Sequence, residues 1–146
     1  MSDPKRIMLI TGAAGGIGRA TVQLFAQNGW TVIGVDRAPF GEPFPSDGFF
    51  IQADIADPAA LESIIAQTRS FTHTLDALVN NAALQVAKPI VETSVAEWDL
   101  TIASNLRSAF LGAKLAHPLL KAGGGGAIVN MSSVHAVQTS ANIAAY

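Results

Sequence analysis

The feature that most constrains this chain is a short apolar run that ends in closely spaced glycines, residues 7–18, IMLITGAAGGIG. The apolar run predicts a buried strand, and the segment after it is compatible with a helix. Glycines at this junction allow a sharp turn and leave room for a phosphate, which the free N–H groups and positive dipole end of the helix favour. The pattern T-G-x-x-x-G-x-G differs from the common dinucleotide fingerprint G-x-G-x-x-G, so a turn that binds nothing is the alternative.

Strands and helices alternate along the whole chain. Strands are predicted at 6–10, 30–35, 49–53, 75–80 and 127–131, and helices at 16–28, from residue 58 and from 95 to about 121. The proline-rich residues 38–48 predict a loop. This alternation predicts one domain, 1–146, with an α/β fold of the doubly wound Rossmann type and a parallel sheet in the order 3-2-1-4-5.

Local patterns also predict how the helices start and which faces they bury. Asp57 before Pro58 predicts an N-cap, and Ser94 with Glu97 predicts a capping box. Helical spacing predicts buried stripes in the first, second and third helices. Their predicted members are Ile17, Ala20, Thr21, Leu24 and Phe25; Leu61, Ile64 and Ile65; and Trp98, Ile102, Leu106, Ala109, Ala113 and Leu120.

Composition excludes several classes of function. Apolar residues make up 49% and charged residues 14%, which suits strands covered on both faces. A net charge of −2 argues against a nucleic-acid partner. The absence of cysteine excludes disulfides and thiol catalysis, and no histidine–carboxylate cluster has the spacing of a metal site. With no signal peptide and no apolar run near 20 residues, a cytoplasmic protein without membrane association is expected.

Asp36 ends the second predicted strand, 18 residues beyond Gly18. A carboxylate there can accept hydrogen bonds from an adenosine ribose and repels a 2′-phosphate. An ordinary polar residue leaving a strand is the alternative, and the neighbouring Arg37 could serve a phosphate. The glycine loop upstream favours ribose binding and therefore NAD(H) over NADP(H).

Four motifs in this order resemble the short-chain dehydrogenase/reductase family, and the resemblance covers essentially the whole chain. They are the glycine segment 11–18, Asp54-Ile55, residues 80–83 (NNAA), and residues 128–133 (IVNMSS), which Tyr146 follows 13 residues later. Ala83 stands where the family usually has glycine. Gly15 stands where NADP-preferring members often carry a basic residue, which supports NAD(H) as the cofactor.

The resemblance implies a role for each motif. Tyr146 would be the acid/base, Ser133 would hydrogen-bond the reacting oxygen, and the backbone carbonyl of Asn105 would orient a water in the proton relay. The implied cofactor-binding residues are Gly12, Ala14, Gly15, Gly16, Ile17, Gly18, Asp36, Arg37, Asp54, Ile55, Asn81 and Ala82. Candidates to face an alcohol or ketone substrate are Leu84, Gln85 and His135, with plain loop packing as the alternative.

The family pattern continues Tyr-x-x-x-Lys, whereas the printed sequence stops at Tyr146. We therefore expect a sheet that lacks the last strands of the family. A free tyrosine has a pKa near 10 and needs a nearby positive charge to act at neutral pH. Two functions stay open: an NAD(H)-dependent oxidoreductase acting on an alcohol/carbonyl pair, or a truncated, non-catalytic dinucleotide-binding module. The 146-residue chain is expected to bind NAD(H) without useful turnover.

The resemblance also implies a homo-oligomer, a dimer or tetramer, formed through the helix from Val95 to Lys121. In the family this helix pairs across an interface with the helix that follows the tyrosine. We therefore expect the apolar face around Phe110 and Ala113 to be partly exposed in this chain.

Overall fold

The computed structural model describes residues 5–45 and 47–146, and a single five-stranded sheet lies at its centre. The strands lie in the order 3-2-1-4-5, and every neighbouring pair is parallel. This order confirms the predicted topology. In chain order the strands are β1 (Ile7–Thr11), β2 (Thr31–Asp36), β3 (Phe49–Gln52), β4 (Ala77–Asn80) and β5 (Ala127–Asn130).

Strand β1 is the centre of the sheet and contributes to a separate core on each face. Leu9 lies opposite Ile33 of β2 and Leu78 of β4, and these three residues belong to one core. Met8 and Ile10 belong to the other core. Successive side chains of a strand point to opposite faces, so the continuous apolar run of β1 is explained by burial on both sides.

Helices cover both faces of the sheet. The first, α1, packs on the core that contains Met8, while α2 and α4 pack on the core that contains Leu9. The predicted helix starts are confirmed: the Asp57 side chain accepts the Ala59 N–H at 2.9 Å, and Ser94 and Glu97 form a capping box. The helices are α1 (Gly16–Gln27), α2 (Pro58–Phe71), α3 (Val95–Ile102) and α4 (Ser108–Ala122), with a π-helical turn, Ala103–Arg107, between α3 and α4.

The stripe predicted for α1 is wrong. Gly18 and Val22 are the buried residues, whereas Ile17 is 64% and Leu24 57% exposed. Helix α1 turns this face inward because Gly18 packs directly on the backbone of Gly12. The stripe predicted for α2 is confirmed, since Leu61, Ile64 and Ile65 are all buried.

The stripe predicted for the long helix is also largely wrong. Trp98 and Leu106 are exposed, and only Leu120 of the predicted set is fully buried. Small residues face the sheet instead, because this helix runs close to β4: a Cβ added at Gly112 would lie 3.2 Å from Asn80 Oδ1. The buried positions of α3, the π-helical turn and α4 are Thr101, Ala103, Ser108, Gly112, Ala116, Leu119 and Leu120.

The link between β2 and β3 contains no helix in its described residues, as predicted. Phe40 is buried there and contacts Phe44 edge-on, with 4.8 Å between ring centroids. Both rings also pack against Phe50 at the start of β3. This aromatic cluster takes the place of the crossover helix over that part of the sheet.

Part of the apolar surface is exposed. Phe110 is 62% exposed and Ala113 is half-buried, as the sequence predicted for this face. All four residues of the edge strand β5 are exposed as well. Within the described residues, no helix has the length and apolar character needed to cross a membrane.

Candidate functional site

A cavity of about 350 Å³ lies beyond the carboxyl ends of β1, β2, β3 and β4. This is the edge of a parallel sheet where ligands bind in doubly wound folds. Eleven of the twelve predicted cofactor-binding residues line it. They are Gly12, Gly15, Gly16, Ile17, Gly18, Asp36, Arg37, Asp54, Ile55, Asn81 and Ala82.

The glycines of the loop are required for different reasons. Gly12 has φ +69°, and an added Cβ would lie 2.8 Å from the Cα of Ala82. A Cβ on Gly18 would lie 1.9 Å from the carbonyl oxygen of Gly12. A Cβ on Gly16 would meet nothing within 4 Å. Gly12 and Gly18 are therefore needed for packing, whereas Gly16 leaves open space at the N-terminus of α1, where an anion is favoured.

Thr11 and Asn81 tie the ends of β1 and β4 together. The Thr11 hydroxyl accepts the backbone N–H groups of Asn81 and Ala82, each at 3.2 Å. In return the Asn81 amide donates to the carbonyls of Thr11 at 3.1 Å and Gly12 at 3.2 Å. Asn81 therefore acts on the cavity through the backbone of the glycine loop, a role its position in the sequence did not reveal.

The carboxylate of Asp36 is held in place from two sides. Oδ2 accepts the N–H of Ala14 at 3.0 Å, and Oδ1 accepts the N–H of Ala38 at 3.0 Å. This contact explains why Ala14, the one predicted residue that does not line the cavity, still contributes to it. Each carboxylate oxygen has more than one lone-pair site, so both oxygens of Asp36 can also accept a ribose hydroxyl.

Two further residues line the opposite wall of the cavity. The Asp54 carboxylate is exposed, and its Oδ1 accepts the N–H of Ala56 at 2.9 Å, while Ile55 beside it is buried. Arg37 lines the cavity with an exposed side chain. The cavity thus presents two carboxylates and one guanidinium to a ligand.

Arg19 fastens the loop after β2 to the glycine loop, and sequence reasoning missed this link. Its guanidinium donates to the carbonyl of Phe40 at 2.5 Å and pairs with Glu42 at 3.0 Å. The guanidinium also lies over the Phe40 ring, 4.8 Å from the centroid. Neither partner could be identified from spacing, since both come from the irregular loop.

A second cavity, of about 310 Å³, lies beside the first at the ends of β4 and β5. The three predicted catalytic residues, Asn105, Ser133 and Tyr146, all line it. Ala82 and Ala83 line both cavities and form the wall between them. The fold therefore brings the catalytic candidates together next to the nucleotide cavity.

The Ser133 hydroxyl is oriented by the backbone that follows it. Its Oγ accepts the N–H of His135 at 3.2 Å. With that lone pair occupied, the hydroxyl proton is left to donate to another oxygen in the cavity. This is the hydrogen-bonding role predicted for Ser133.

Asn105 lies in the π-helical turn, a distortion that occurs frequently at functional sites. Its side-chain Oδ1 accepts the N–H of Leu84 at 2.7 Å, and its Nδ2 donates to the carbonyl of Leu84 at 2.8 Å. The side chain therefore anchors the loop after β4. The role predicted for the Asn105 backbone carbonyl stays a prediction.

The three candidate substrate residues are not brought together. Leu84 lines the nucleotide cavity, and Gln85 is exposed and lines neither cavity. His135 is half-buried, with its ring edge-on to that of Tyr146 at 6.1 Å between centroids, and its buried Nδ1 has no hydrogen-bond partner in the structure. Only His135 therefore contacts a catalytic candidate.

The start of α3 carries the one large pKa shift resolved among the described residues. Hydrogen bonds from Lys88, then from the backbone and hydroxyl of Ser94, lower the pKa of Glu97 from 4.5 to about 2. This clip joins the loop after β4 to the helix. Sequence reasoning identified the Ser94 contact but not that of Lys88.

Glu97→Gln is expected to lower the melting temperature at neutral pH but not in strong acid. A carboxylate whose pKa is depressed on folding stabilises the protein above its unfolded-state pKa, and that stability is lost as pH falls through the folded-state pKa. The difference between wild type and variant should therefore shrink below about pH 4.5 and close near pH 2. Thermal melts across this range measure it.

Lys88→Met, alone and combined with Glu97→Gln, provides the control. The double variant should melt no lower than the sum of the single losses, because both remove the same contact. A melting-temperature difference that stays constant from neutral pH to pH 2 would contradict the assigned shift.

No group of three or more histidine, cysteine, aspartate or glutamate residues that could hold a metal ion occurs within 5–45 and 47–146. The expectation of a metal-free site stays a prediction. The chemistry of the two cavities accordingly has to be argued from carboxylate, amide, hydroxyl and phenol groups.

Known proteins share this arrangement. A family model described as short chain dehydrogenase matches residues 6–146. An uncharacterized oxidoreductase of Thermotoga maritima is 31% identical, over 97% of this chain and 58% of its own length. An NAD-dependent glycerol dehydrogenase of Listeria innocua is 31% identical, over 88% of this chain and 52% of its own length. The chain thus spans little more than half the length of these relatives.

Solved structures agree with the sequence comparison. The ligand-free aldohexose dehydrogenase of Thermoplasma acidophilum superposes with a TM-score of 0.90 at 30% identity, covering 97% of this chain and 55% of that one. A short-chain dehydrogenase from Streptomyces avermitilis gives 0.91 at 26% identity, covering 99% and 55%. With the family model matching nearly every residue and the sheet order, glycine loop and catalytic candidates in place, this chain belongs to the short-chain dehydrogenase family.

Proposed function

We propose that the chain is the cofactor-binding part of an NAD(H)-dependent oxidoreductase that interconverts an alcohol and a carbonyl compound. One observation carries this proposal: the nucleotide cavity and the cavity of Ser133 and Tyr146 share the wall formed by Ala82 and Ala83. A dinucleotide in the first cavity and a small molecule in the second would then be neighbours. Oxidoreductase relatives in the same family support the reaction class.

The first cavity has the groups that a dinucleotide requires. Open space over Gly16 at the start of α1 suits a pyrophosphate, because unpaired backbone N–H groups and the helix dipole favour an anion there. The carboxylates of Asp36 and Asp54 are acceptors for hydroxyl groups. A bound nicotinamide would supply the hydride acceptor or donor for the reaction.

The residues of the second cavity would handle the proton. Ser133, whose oxygen already accepts the His135 N–H, would donate its proton to the substrate oxygen and hold it in place. Tyr146 would exchange a proton with that same oxygen, as general acid in one direction and general base in the other. Asn105 would support both by holding the loop at Leu84 that separates the cavities.

The proposal names NAD(H) rather than NADP(H) because of charge. The Asp36 carboxylate, fixed by Ala14 and Ala38, would face a 2′-phosphate with like charge. Arg37 is the competing observation, since its exposed guanidinium lines the same cavity. We assign the specificity to Asp36 because two backbone donors hold its carboxylate at the end of β2.

The 146-residue chain is expected to bind NADH at least about tenfold more tightly than NADPH, a difference of about 1.4 kcal/mol. Like charges brought together cost several kcal/mol, so the Asp36→Ala variant should lose most of this preference. Both dissociation constants are measured by fluorescence titration. Because Asp36 also fixes the loop, damage to the loop lowers both affinities, and the ratio of the two isolates the charge effect.

Arg37→Ala is the matched control for this experiment, since it should leave the ratio nearly unchanged. Equal or tighter binding of NADPH by wild type, or a collapse of NADPH binding in Arg37→Ala alone, would overturn the assignment. Incubation of the NADH complex with alcohols and ketones then separates the two functions. Binding without any change in NADH absorbance would leave only the dinucleotide-binding module.

The proposed partners are a small alcohol or ketone and further copies of this chain. The exposed apolar side chains of α3, the π-helical turn and α4 support self-association, because a contiguous apolar patch marks an interaction surface. These residues are Val95, Trp98, Leu106 and Phe110, between 45% and 76% exposed.

A further inference from the structure

The position of Tyr146 depends on the residue three positions before it. The N–H of Tyr146 donates to the carbonyl of Ile143 at 3.1 Å. Ile143 is only 6% exposed, and it pairs with Lys88 in an isolated parallel bridge. The segment that carries the tyrosine is therefore attached to the loop after β4 at Lys88.

The side chain of Lys88 attaches that loop to α3. Its ammonium group pairs with Glu97 Oε1, and Glu97 Oε2 accepts both the N–H and the hydroxyl of Ser94 at 2.9 Å. The carboxylate is thus fixed in the first turn of the helix. Lys88 consequently joins three parts of the chain: the helix through its side chain, and the loop and the tyrosine segment through its backbone.

The same loop has a second anchor closer to β4. The amide of Asn105 holds both backbone groups of Leu84. With Leu84 fixed by the π-helical turn and Lys88 by Glu97, the intervening residues have little freedom to shift. The bridge to Ile143 therefore starts from a fixed point.

We propose that the Lys88–Glu97 ion pair is a positioning device for Tyr146, which it holds beside Ser133 through the backbone bridge at Ile143. An exposed ion pair typically contributes little to stability. This pair has side chains that are 43% and 29% exposed, so its importance lies in what it holds in place and not in its own energy. The inference rests on the proposed role of Tyr146, but the positioning can be measured without any turnover.

Fluorine NMR of the chain labelled with 3-fluorotyrosine tests the proposal, because Tyr146 is the single tyrosine of the sequence. We expect one resonance, well separated from that of the urea-unfolded chain. In Lys88→Met and Glu97→Gln it should move most of the way toward the unfolded position and sharpen. Glu97→Gln is the more informative variant, since glutamine at this position preserves the capping box.

Two further variants serve as controls. Lys88→Arg keeps the charge and should keep the wild-type resonance. Lys5→Met breaks an exposed pair with Asp47, away from both cavities, and should not move the resonance. Circular dichroism establishes that each variant is folded, and amide exchange at Ile143 should accelerate only where the resonance moves.

An unchanged resonance in folded Glu97→Gln, or a wild-type resonance already at the unfolded position, would overturn the positioning role. Failure of the proposed function looks different: it would appear as absent NADH binding or turnover, with the resonance of Tyr146 still dependent on Lys88 and Glu97.

Discussion

Gly18→Ala is expected to destabilise the chain by about 3 kcal/mol or more and to abolish measurable NADH binding. The added Cβ would lie 1.9 Å from the carbonyl oxygen of Gly12 and 2.9 Å from the Asn81 amide nitrogen. Neither atom can yield easily, because Gly12 is backbone in the positive-φ region and the Asn81 amide is already bonded to two carbonyls. Urea unfolding followed by circular dichroism measures the loss.

Gly16→Ala is the matched control, two residues away in the same helical turn. Its Cβ would meet no protein atom within 4 Å, so stability should change by no more than about 0.5 kcal/mol. NADH affinity should nevertheless fall, because the methyl group enters the space proposed for the pyrophosphate. Equal stability losses in both variants would contradict the distinction between a packing glycine and a ligand-facing glycine.

Asn105→Ala is expected to destabilise the chain by about 2 kcal/mol or more. The substitution leaves both the N–H and the C=O of Leu84 without their partners, and an unsatisfied polar group costs about 1–3 kcal/mol. It also frees the loop between the two cavities, so NADH affinity should fall. Chemical denaturation and the NADH titration measure the two effects.

Ser104→Ala is the control for this prediction, since it removes a polar group from the same π-helical turn without touching Leu84. We expect a stability change within about 0.5 kcal/mol. If Asn105→Ala were no more destabilising than Ser104→Ala, the anchoring of Leu84 would not matter to the fold, and the importance of Asn105 would lie in its backbone alone.

Strand order and the membership of the nucleotide cavity could be predicted because both follow from local patterns. Each buried strand of a doubly wound sheet is a short apolar run, and its carboxyl end carries the residues that reach a ligand. The motifs at Gly12, Asp36, Asp54 and Asn81 each follow such a run directly, so strand prediction placed them at one edge.

The helix faces could not be predicted in the same way. Apolar periodicity assigned Leu24 and Leu106 to the core, whereas both are exposed. The choice between two faces of a helix depends on how close its backbone comes to the sheet. At Gly18 and Gly112 that approach is too close for a larger side chain, and small residues carry little hydrophobic signal.

The sequence by itself therefore determined the sheet and the residues along its carboxyl edge, because spacing within one strand, loop or helix is enough to specify them. Only the tertiary structure decided what those residues hold. Asn81 bonds Thr11 across 70 positions, Asn105 bonds Leu84 across 21, and Lys88 pairs with Ile143 through a bridge outside the named strands. Such partners meet because the strands set the distance between two loops, and no local pattern along the chain encodes that distance.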